Sequence, residues 1–352
     1  MRTSWVLFAT LLCALHYVWS RLSFLAVPAQ WLGTTLILLC AAHCLARFLW
    51  RRLFVTLVNG DGKAVLITGC DTGFGNMLAR CLSRENFMVY AGCLDSNSEG
   101  AMILKKCQNV RVLQLDVTKD NQVDEAFESV KRDLGSRVLW AVVANAGIPN
   151  SGLIEWMTME SIIKVFDVNV FGVVRVAKKF LPLLKRSKGR VVIVTSVYAS
   201  YTFPLATAYC MSKYATLSLV DGLRRELYGK GVDVIAIEPT LYKTAINDDV
   251  GSMRAIERDL NKQAPEVVAD YTEAEIKNWL TSASTYYSYS MRDNPQEVVN
   301  QMIAAVRETD PKTCYPATGP LEYTSLCILR ILPDEAVDYL ILGIRKMINF
   351  VC

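Results

Sequence analysis

Histidine is nearly absent from this chain. Only His16 and His43 occur, both in the apolar N-terminal stretch, so residues 44–352 contain none. This absence excludes a Ser-His-Asp or Cys-His catalytic group there, together with most histidine-ligated metal sites. Proton transfer must therefore depend on another titratable side chain, and we predict no metal site.

Paired cysteines and a strong charge imbalance are also missing. The eleven cysteines are scattered, none forms a Cys-x-x-Cys pair, and the odd number fits no disulfide framework. They are predicted to be mostly buried thiols in a reducing compartment. The net charge of +4 gives no support for nucleic-acid binding. A chain of 352 residues is long enough for one large core with a small appendage.

Formal charge is absent from a long N-terminal stretch. Residues 22–46 are mostly apolar and uncharged, and they are numerous enough to cross a bilayer as a helix. An earlier apolar run, residues 5–19, is short for a span. We predict a membrane anchor in residues 1–52 with one or two spans, a helical hairpin being favoured.

A basic cluster follows the apolar stretch and favours a cytosolic position for the residues after it. It consists of Arg47, Arg51 and Arg52. The alternative to an anchor is a cleaved signal peptide that ends near Ser20.

Beyond Lys63, apolar runs rich in β-branched residues alternate with helical patterns. The predicted strands are residues 64–68, 88–93, 110–115, 139–144, 190–196 and 232–238. Two long helices are predicted over residues 159–184 and 208–228. Short apolar strands that alternate with helices indicate an α/β fold with a doubly wound parallel sheet, in a single Rossmann-like domain.

The domain boundaries follow from the same pattern. Residues 60–318 are predicted to form the nucleotide-binding domain, with a cap at residues 241–292 and an apolar helical segment at residues 319–352. Aromatic side chains of the cap could form flat apolar walls for a substrate, although ordinary packing within the cap is the alternative. These side chains are Trp279, Tyr286, Tyr287 and Tyr289.

A glycine-rich turn follows the first predicted strand. Gly69, Gly73 and Gly75 would let the backbone approach a pyrophosphate at a helix N-terminus, although a turn without a ligand is the alternative. Asp95, after the second strand, suits ribose hydroxyls and would repel a 2′-phosphate, unless it is a solvated loop residue. With Asp71 in the turn and no basic residue nearby, NAD is favoured over NADP.

A tyrosine, a lysine and a serine are placed where they could transfer a proton. Tyr209 and Lys213 lie one helical turn apart, so both side chains share a face. An ammonium group beside a phenol favours the phenolate, which can then accept a hydroxyl proton. Ser196 ends a strand where ligands bind in open sheets, and its hydroxyl can hold a substrate oxygen. A surface pair of tyrosine and lysine is the alternative.

In this order, the glycine turn, Asn145-Ala-Gly147, Ser196 and Tyr209-x-x-x-Lys213 resemble the short-chain dehydrogenase/reductase family. The resemblance covers residues 63–318. The turn sequence, the motif Phe180-Leu-Pro-Leu-Leu184 and the anchor resemble a narrower branch, the membrane-bound hydroxysteroid, retinol and 3-hydroxybutyrate dehydrogenases.

The resemblance implies a set of site residues. The catalytic residues would be Asn169, Ser196, Tyr209 and Lys213, and Ser196 and Tyr209 would also bind the substrate. The cofactor would be bound by Thr68, Gly69, Gly73, Phe74, Gly75, Asp95, Asp116, Val117, Asn145, Ala146, Gly147, Tyr209, Lys213, Pro239 and Thr244. Asn169 would position the helix and the water that connect Lys213 to solvent. Asp116 would contact the adenine, and Thr244 would hold the nicotinamide carboxamide.

Two positions depart from the family pattern. Ala144 replaces the first asparagine of the usual Asn-Asn-Ala-Gly, but Asn145, which ties the sheet together, is kept. Thr240 replaces the glycine that usually follows Pro239, and it would reshape the nicotinamide loop.

The favoured function is an NAD-dependent oxidoreductase that interconverts a lipophilic secondary or allylic alcohol and its carbonyl, with a hydroxysteroid as substrate. Retinol and 3-hydroxybutyrate are the alternatives, and a basic residue in the cavity would favour the hydroxyacid. A membrane-tethered binding protein with the same fold is the non-enzymatic alternative. The expected partners are a membrane, of the endoplasmic reticulum rather than the mitochondrion, and a second copy that pairs through the two long helices.

Overall fold

The computed structural model describes residues 17, 23–244 and 249–351. It divides into two compact units, Met1–Thr56 and Leu57–Cys352. In the first unit, α1 covers Ser23–Phe54, and its segment Trp31–Phe54 has a length and a mean hydropathy of 1.7 that suit a membrane span. This confirms one apolar N-terminal helix. Apart from Tyr17, the earlier run at residues 5–19 lies outside the described residues, so the second span stays a prediction.

The second unit alternates strands and helices. The strands are β1 Lys63–Thr68, β2 Met88–Cys93, β3 Val110–Gln114, β4 Val138–Ala144, β5 Arg190–Val194, β6 Asp233–Pro239 and β7 Cys314–Ala317. The helices up to β6 are α2 Gly73–Arg84, α3 Glu99–Lys105, α4 Asp120–Asp133, α5 Met159–Phe166, α6 Val173–Ser187 and α7 Thr207–Glu226. The later helices are α8 Asp249–Leu260, α9 Pro265–Ala269, α10 Glu273–Ser290, α11 Gln296–Arg307, α12 Pro320–Leu329 and α13 Asp334–Val351.

The seven strands form one sheet in the order β3-β2-β1-β4-β5-β6-β7, and each pair is parallel. The predicted doubly wound parallel sheet is therefore confirmed. The sequence pattern did not predict β7, which has only four residues and contains Pro316. A proline without an amide hydrogen is tolerated there because β7 is an edge strand with one neighbour.

The sheet is covered on both faces because successive side chains of a strand point to opposite sides. Val65 and Ile67 of β1 face a core that includes buried side chains of α2 and α11. Ala64 and Leu66 face a second core, which α4, α6 and α7 complete. Both faces of β1 are fully buried, which explains why its sequence is continuously apolar rather than alternating.

The helix predicted over residues 159–184 is present but not uniform. Between α5 and α6 the chain forms a π-helical segment, Asp167–Gly172, before it continues to Ser187. Wider turns of this kind occur often at functional sites, and this segment carries Asn169.

A buried arginine joins β5 to the end of α11. The Arg190 guanidinium donates to the carbonyls of Ala305 (2.8 Å) and Glu308 (2.9 Å), and the Trp140 indole donates to Val306 O (2.8 Å). These groups satisfy carbonyls that a helix C-terminus leaves without partners. Burial lowers the pKa of Arg190, and Asp233 nearby opposes that effect.

The predicted cap shares an apolar cluster with residues that precede it in the chain. Trp156, Leu205, Ile256 and Leu260 are buried together, and partly buried residues of α9 and α10 pack against them. The carboxylate of Asp259 in α8 accepts two hydrogen bonds from hydroxyls at the start of α5. These two bonds join the cap to the sheet domain.

Candidate active site

A cleft of about 340 Å³ opens at the carboxyl ends of the central strands. The chain passes from β1 to β2 on one side and from β4 to β5 on the other, so the connections that leave the carboxyl ends of the neighbouring strands β1 and β4 run in opposite directions. Ligands of open α/β sheets bind at such a switch point, because the loops diverge there and leave a crevice.

The turn between β1 and α2 has the backbone shape that the glycines predict. Gly69 and Gly73 have φ values of +69° and +59°, in the left-handed region that side chains with a Cβ rarely adopt. A Cβ on Gly75 would lie 2.3 Å from the carbonyl oxygen of Gly69. Glycine at this position therefore lets α2 pack directly on the turn, with its N-terminus at the cleft.

Asn145 joins the end of β4 to the glycine turn. Its side-chain amide donates to the carbonyls of Thr68 (2.9 Å) and Gly69 (3.1 Å). In return, the Thr68 hydroxyl accepts from the backbone amides of Asn145 (3.1 Å) and Ala146 (3.0 Å). These four bonds fix the spacing of the two strands at the point where the crevice opens.

Carboxylates line the cleft near the ends of β2 and β3. Asp71 accepts from the backbone amides of Leu94 and Asp95, both at 2.9 Å, and so holds the loop after β2. Asp95 is exposed, and its carboxylate accepts from the amide of Asn97 (2.8 Å). Asp116 lines the cleft. Its carboxylate accepts hydrogen bonds from the backbone amide and the side-chain hydroxyl of the residue two positions later in the chain.

Ser196 lies just beyond β5, which ends at Val194 rather than at Ser196 as predicted. Its hydroxyl accepts from the amide of Tyr198 (3.2 Å) and donates to the carbonyl of Pro239 (3.3 Å). The serine is buried, so its orientation is set by the ends of both β5 and β6.

Lys213 is buried beneath Tyr209. Its ammonium donates to the carbonyl of Val194 (3.0 Å) and lies 5.6 Å from the centroid of the Tyr209 ring. Burial lowers the pKa of Lys213 to about 8, because the ammonium loses its water. The lysine therefore keeps its charge at neutral pH yet can release a proton close to it.

Asn169 connects the π-helical segment to the catalytic helix α7. Its amide donates to the carbonyl of Ile148 (3.0 Å) and to the hydroxyl of Ser212 (3.1 Å), and its oxygen accepts from the Ile148 amide (2.8 Å). The Ser212 hydroxyl donates in turn to the carbonyl of Tyr209 (2.7 Å). Asn169 therefore positions the loop after Gly147 and the helix that carries Tyr209.

The cleft residues fit a nicotinamide dinucleotide. The glycines of the turn leave room for a pyrophosphate to approach backbone amides and a helix N-terminus. Thr244 lies beside this turn, since a Cβ on Gly73 would be 3.9 Å from the Cβ of Thr244. Its buried hydroxyl has no hydrogen-bond partner among the described residues, so it is free to bind a ligand of the cleft.

The structure brings most of the predicted site residues to one cleft. Its wall contains Gly69, Gly73, Phe74, Asp116, Val117, Asn145, Ala146, Gly147, Ser196, Tyr209, Lys213, Pro239 and Thr244. Four predicted residues lie outside the described wall. They are Thr68 and Gly75 beneath the turn, Asn169 behind Gly147, and Asp95, which follows the wall residue Leu94.

The apolar wall on the substrate side differs from the one expected. Of the described residues, Tyr198, Leu241, Tyr242 and Met291 line the cleft. Trp279 instead packs in the cap cluster, the alternative considered for it. The side chains of Tyr286, Tyr287 and Tyr289 lie outside those described. The sequence offered one signal for the missed group, since Leu241 and Tyr242 come two and three residues after the end of β6, which faces the crevice.

The chain is similar to known dehydrogenases. A profile of the short chain dehydrogenase family matches residues 63–255. Bovine mitochondrial D-beta-hydroxybutyrate dehydrogenase is 36% identical over 290 residues, which cover 78% of this chain and 81% of that protein. Mouse estradiol 17-beta-dehydrogenase 2 is 33% identical over 353 residues, which cover 96% of this chain and 91% of that protein. The structure of a short-chain dehydrogenase/reductase from Burkholderia phymatum in complex with NAD has a TM-score of 0.63 at 20% identity, and the match covers 76% of this chain and 93% of that one.

The fold and the crevice define a dinucleotide-dependent oxidoreductase, and the chain belongs to the short-chain dehydrogenase family. Its closer likeness is to hydroxysteroid and 3-hydroxybutyrate dehydrogenases, as the motifs predicted. Family membership and the retained serine, tyrosine and lysine favour an enzyme over the non-catalytic binding protein considered as the alternative.

Replacing the tyrosine hydroxyl tests its assignment as the proton acceptor. Tyr209→Phe removes the ionisable group and keeps the ring that packs against Tyr198. We expect turnover to fall by about 10² to 10⁴-fold, because general base catalysis is lost, while cofactor affinity changes little. Steady-state kinetics and an NAD titration measure the two effects. Turnover equal to that of the unaltered protein would refute the assignment.

Proposed function

We propose that this protein is an NAD-dependent dehydrogenase that interconverts a lipophilic secondary alcohol, favoured to be a hydroxysteroid, and its ketone. Retinol, an allylic alcohol, and 3-hydroxybutyrate are the competing substrates. The reaction type follows from the family. The choice among these substrates follows from the side chains that line the cleft.

The observation that carries this choice is the scarcity of positive charge in the cleft. Among the described wall residues, Lys213 is the one lysine, and no arginine is present. Lys213 already donates to a backbone carbonyl beneath Tyr209 and does not extend toward the apolar wall. A small hydroxyacid carries a carboxylate, which a desolvated site must pair with a cation. An uncharged alcohol with a broad apolar body has no such requirement.

The apolar wall also suits a flat ring system. Tyr198 lies 6.1 Å from Tyr209, measured between ring centroids, and the planes are nearly perpendicular. Aromatic faces and edges of this kind bury large apolar area with little loss of side-chain entropy. A fused-ring alcohol would gain more from them than a four-carbon acid.

Each catalytic side chain has a role that its contacts support. A bound nicotinamide supplies the hydride acceptor for alcohol oxidation. Ser196 holds the substrate oxygen, with its hydroxyl oriented by Tyr198 and Pro239. Tyr209 accepts the hydroxyl proton, and the Lys213 ammonium favours the phenolate that does so. A lysine pKa of about 8 also lets Lys213 pass a proton onward at neutral pH.

A panel of alcohols tests the proposed substrate. Full-length protein in detergent would be assayed with NAD and a series comprising a 17-hydroxysteroid, retinol, a long-chain secondary alcohol and 3-hydroxybutyrate. We expect the highest kcat/KM for the hydroxysteroid and the lowest for the hydroxyacid, because the carboxylate is left without a cation. Tyr209→Phe is the control for background oxidation. The highest kcat/KM for 3-hydroxybutyrate would contradict the proposal.

We further propose that NAD is preferred over NADP. Asp71 lines the cleft and fixes the loop that carries Asp95, so two carboxylates lie where the adenosine ribose would be held. A 2′-phosphate would meet repulsion there. Lys105, the last residue of α3, is a basic residue that the sequence pattern did not predict near this loop, and its ammonium donates to the Asn97 side chain (3.4 Å).

The coenzyme proposal is tested by removing one of these carboxylates. Asp95→Ala removes a ribose acceptor and a negative charge. We therefore expect KM for NAD to rise, and the difference between KM for NAD and KM for NADP to become smaller. Glu128→Ala, which removes an exposed carboxylate of α4, is the matched control and should leave the coenzyme ratio unchanged. If the unaltered protein already uses NADP more efficiently than NAD, the assignment of Asp71 and Asp95 is wrong.

We propose that residues 1–52 anchor the protein in the endoplasmic reticulum membrane with residues 60–318 as the catalytic domain in the cytosol. The segment Trp31–Phe54 suits a span by length and composition, although a signal sequence would pass the same test. A mitochondrial transit peptide is amphipathic and rich in arginine, whereas residues 22–46 carry no charge. The bovine relative named above is mitochondrial, which makes that membrane the alternative.

Extraction and topology experiments test the anchor. We expect the full chain to remain with membranes in alkaline carbonate and to dissolve only in detergent, because burial of an apolar helix outweighs what alkali can oppose. A variant lacking residues 1–52 should keep the sheet, since β1 begins at Lys63, and should dissociate in carbonate. Protease should digest the domain on sealed microsomes, and full protection would overturn the proposed topology.

We also propose a homodimer formed through α5, the π-helical segment and α7. This surface exposes large apolar side chains, namely Ile163, Phe171, Met211 and Tyr214. Patches of this kind mark interaction surfaces. Light scattering in detergent should give the mass of two chains, and Phe171→Glu should reduce it to one. A single-chain mass for the unaltered protein would refute this proposal.

A further inference from the structure

One wall of the cleft is attached to the C-terminal helix α12 through Thr240. This residue follows Pro239 and lines the cleft beside Ser196 and Tyr209. Its hydroxyl donates to a carboxylate oxygen of Glu322, which lies in the first turn of α12. Glycine, the usual residue at this position, has no side chain with which to make this bond.

The second oxygen of Glu322 is also engaged. It accepts from the backbone amide of Gly319 (3.3 Å), so the carboxylate is held at both oxygens. The backbone amide of Thr240 donates to the carbonyl of Ala317 (3.2 Å) at the end of β7. The loop after β6 is therefore fixed to the segment at residues 317–322 by one backbone bond and one bond to a charged acceptor.

The same helix is attached at its other end. Arg330, just after α12, donates to the Ser200 hydroxyl in the loop between Ser196 and Tyr209. Arg330 also pairs with the buried carboxylate of Glu238 (3.4 Å), one residue before Pro239. Helix α12 thus contacts the loops on both sides of the proton-transfer residues.

The position of Thr240 determines which part of a cofactor this attachment affects. Pro239, its neighbour, accepts the hydrogen bond from Ser196. Hydride transfer requires the nicotinamide ring to lie beside the substrate carbon, and hence beside Ser196 and Tyr209. The adenosine end would be held instead by the carboxylates after β2 and β3. A change at Thr240 therefore acts on the nicotinamide end alone.

We propose that Glu322 is a positioning residue for the reaction, acting through Thr240 to hold the loop that receives the nicotinamide. The inference rests on the proposed NAD-dependent function. It makes α12, which lies outside the residues that the family profile matches, part of the active-site structure. Hydrogen bonds to an ionised acceptor are about twice as strong as neutral ones, so Glu322 restricts the loop more than a neutral acceptor would.

The test compares two ligands that differ only at the nicotinamide end. Affinities for NAD and for ADP-ribose, which lacks the nicotinamide ring, would be measured by calorimetry on full-length protein in detergent. For Thr240→Val we expect the Kd for NAD to rise about tenfold, because a charge-assisted hydrogen bond is lost. The Kd for ADP-ribose should stay unchanged.

Three further variants separate positioning from general stability. Thr240→Ser keeps the hydroxyl and should restore NAD affinity. The double variant Thr240→Val/Glu322→Gln should bind NAD no more weakly than Thr240→Val, since Glu322 acts on the loop through the Thr240 hydroxyl that the first change has already removed. Thr272→Val removes another threonine-to-glutamate bond, to Glu275 (2.8 Å), outside the described cleft wall. This control should leave both affinities unchanged.

The possible results are distinguishable. The positioning role is refuted if Thr240→Val binds NAD as tightly as the unaltered protein does. It is also refuted if both ligands are weakened equally, or if the double variant binds NAD more weakly than Thr240→Val does. If the unaltered protein binds neither ligand, the proposed function fails, and this inference fails with it. A thermal midpoint close to that of the unaltered protein accompanies the expected result.

Discussion

The amide of Asn145 is the interaction on which the rest of the site depends. It is bonded to two successive carbonyls of the neighbouring strand and turn, Thr68 O and Gly69 O. Without this amide, these carbonyls would have no hydrogen-bond partner in the sheet, because the chain leaves the sheet at the glycine turn. The amide keeps the crevice open without leaving a buried polar group unsatisfied. Ala144, the buried residue before Asn145, offers no side-chain amide, so these contacts come from Asn145.

The side chains proposed as catalytic indicate how a protein domain without histidine could arrange proton transfer. Lys213 is a buried cation whose hydrogen bond is to a neutral carbonyl, that of Val194. The loss of water on burial lowers the pKa of this lysine to about 8. Ionisation of the tyrosine beside it is favoured by a neighbouring positive charge. Burial of the lysine therefore affects the ionisation of both side chains.

Local signals in the sequence were enough to predict the sheet, the glycine turn and the pairing of Tyr209 with Lys213, because each depends on residues close together in the chain. Features that depend on distant partners were not predicted. β7 was missed because four residues that include a proline carry no strand pattern. Thr240 and Glu322 are 82 positions apart, and no periodicity relates them. Trp279 could be assigned to the cap but not to one side of it, since composition does not determine the direction of a side chain.

The contact between Arg190 and α11 has a consequence for synthesis of the chain. The guanidinium is bonded to carbonyls 115 and 118 positions later, and Trp140 reaches a carbonyl 166 positions later. The central strands are therefore made long before the helix that closes one of their faces. Until α11 has left the ribosome, one face of the apolar strands and the Arg190 guanidinium remain exposed to solvent. A nascent chain of this protein thus depends on protection from aggregation over about a third of its translation.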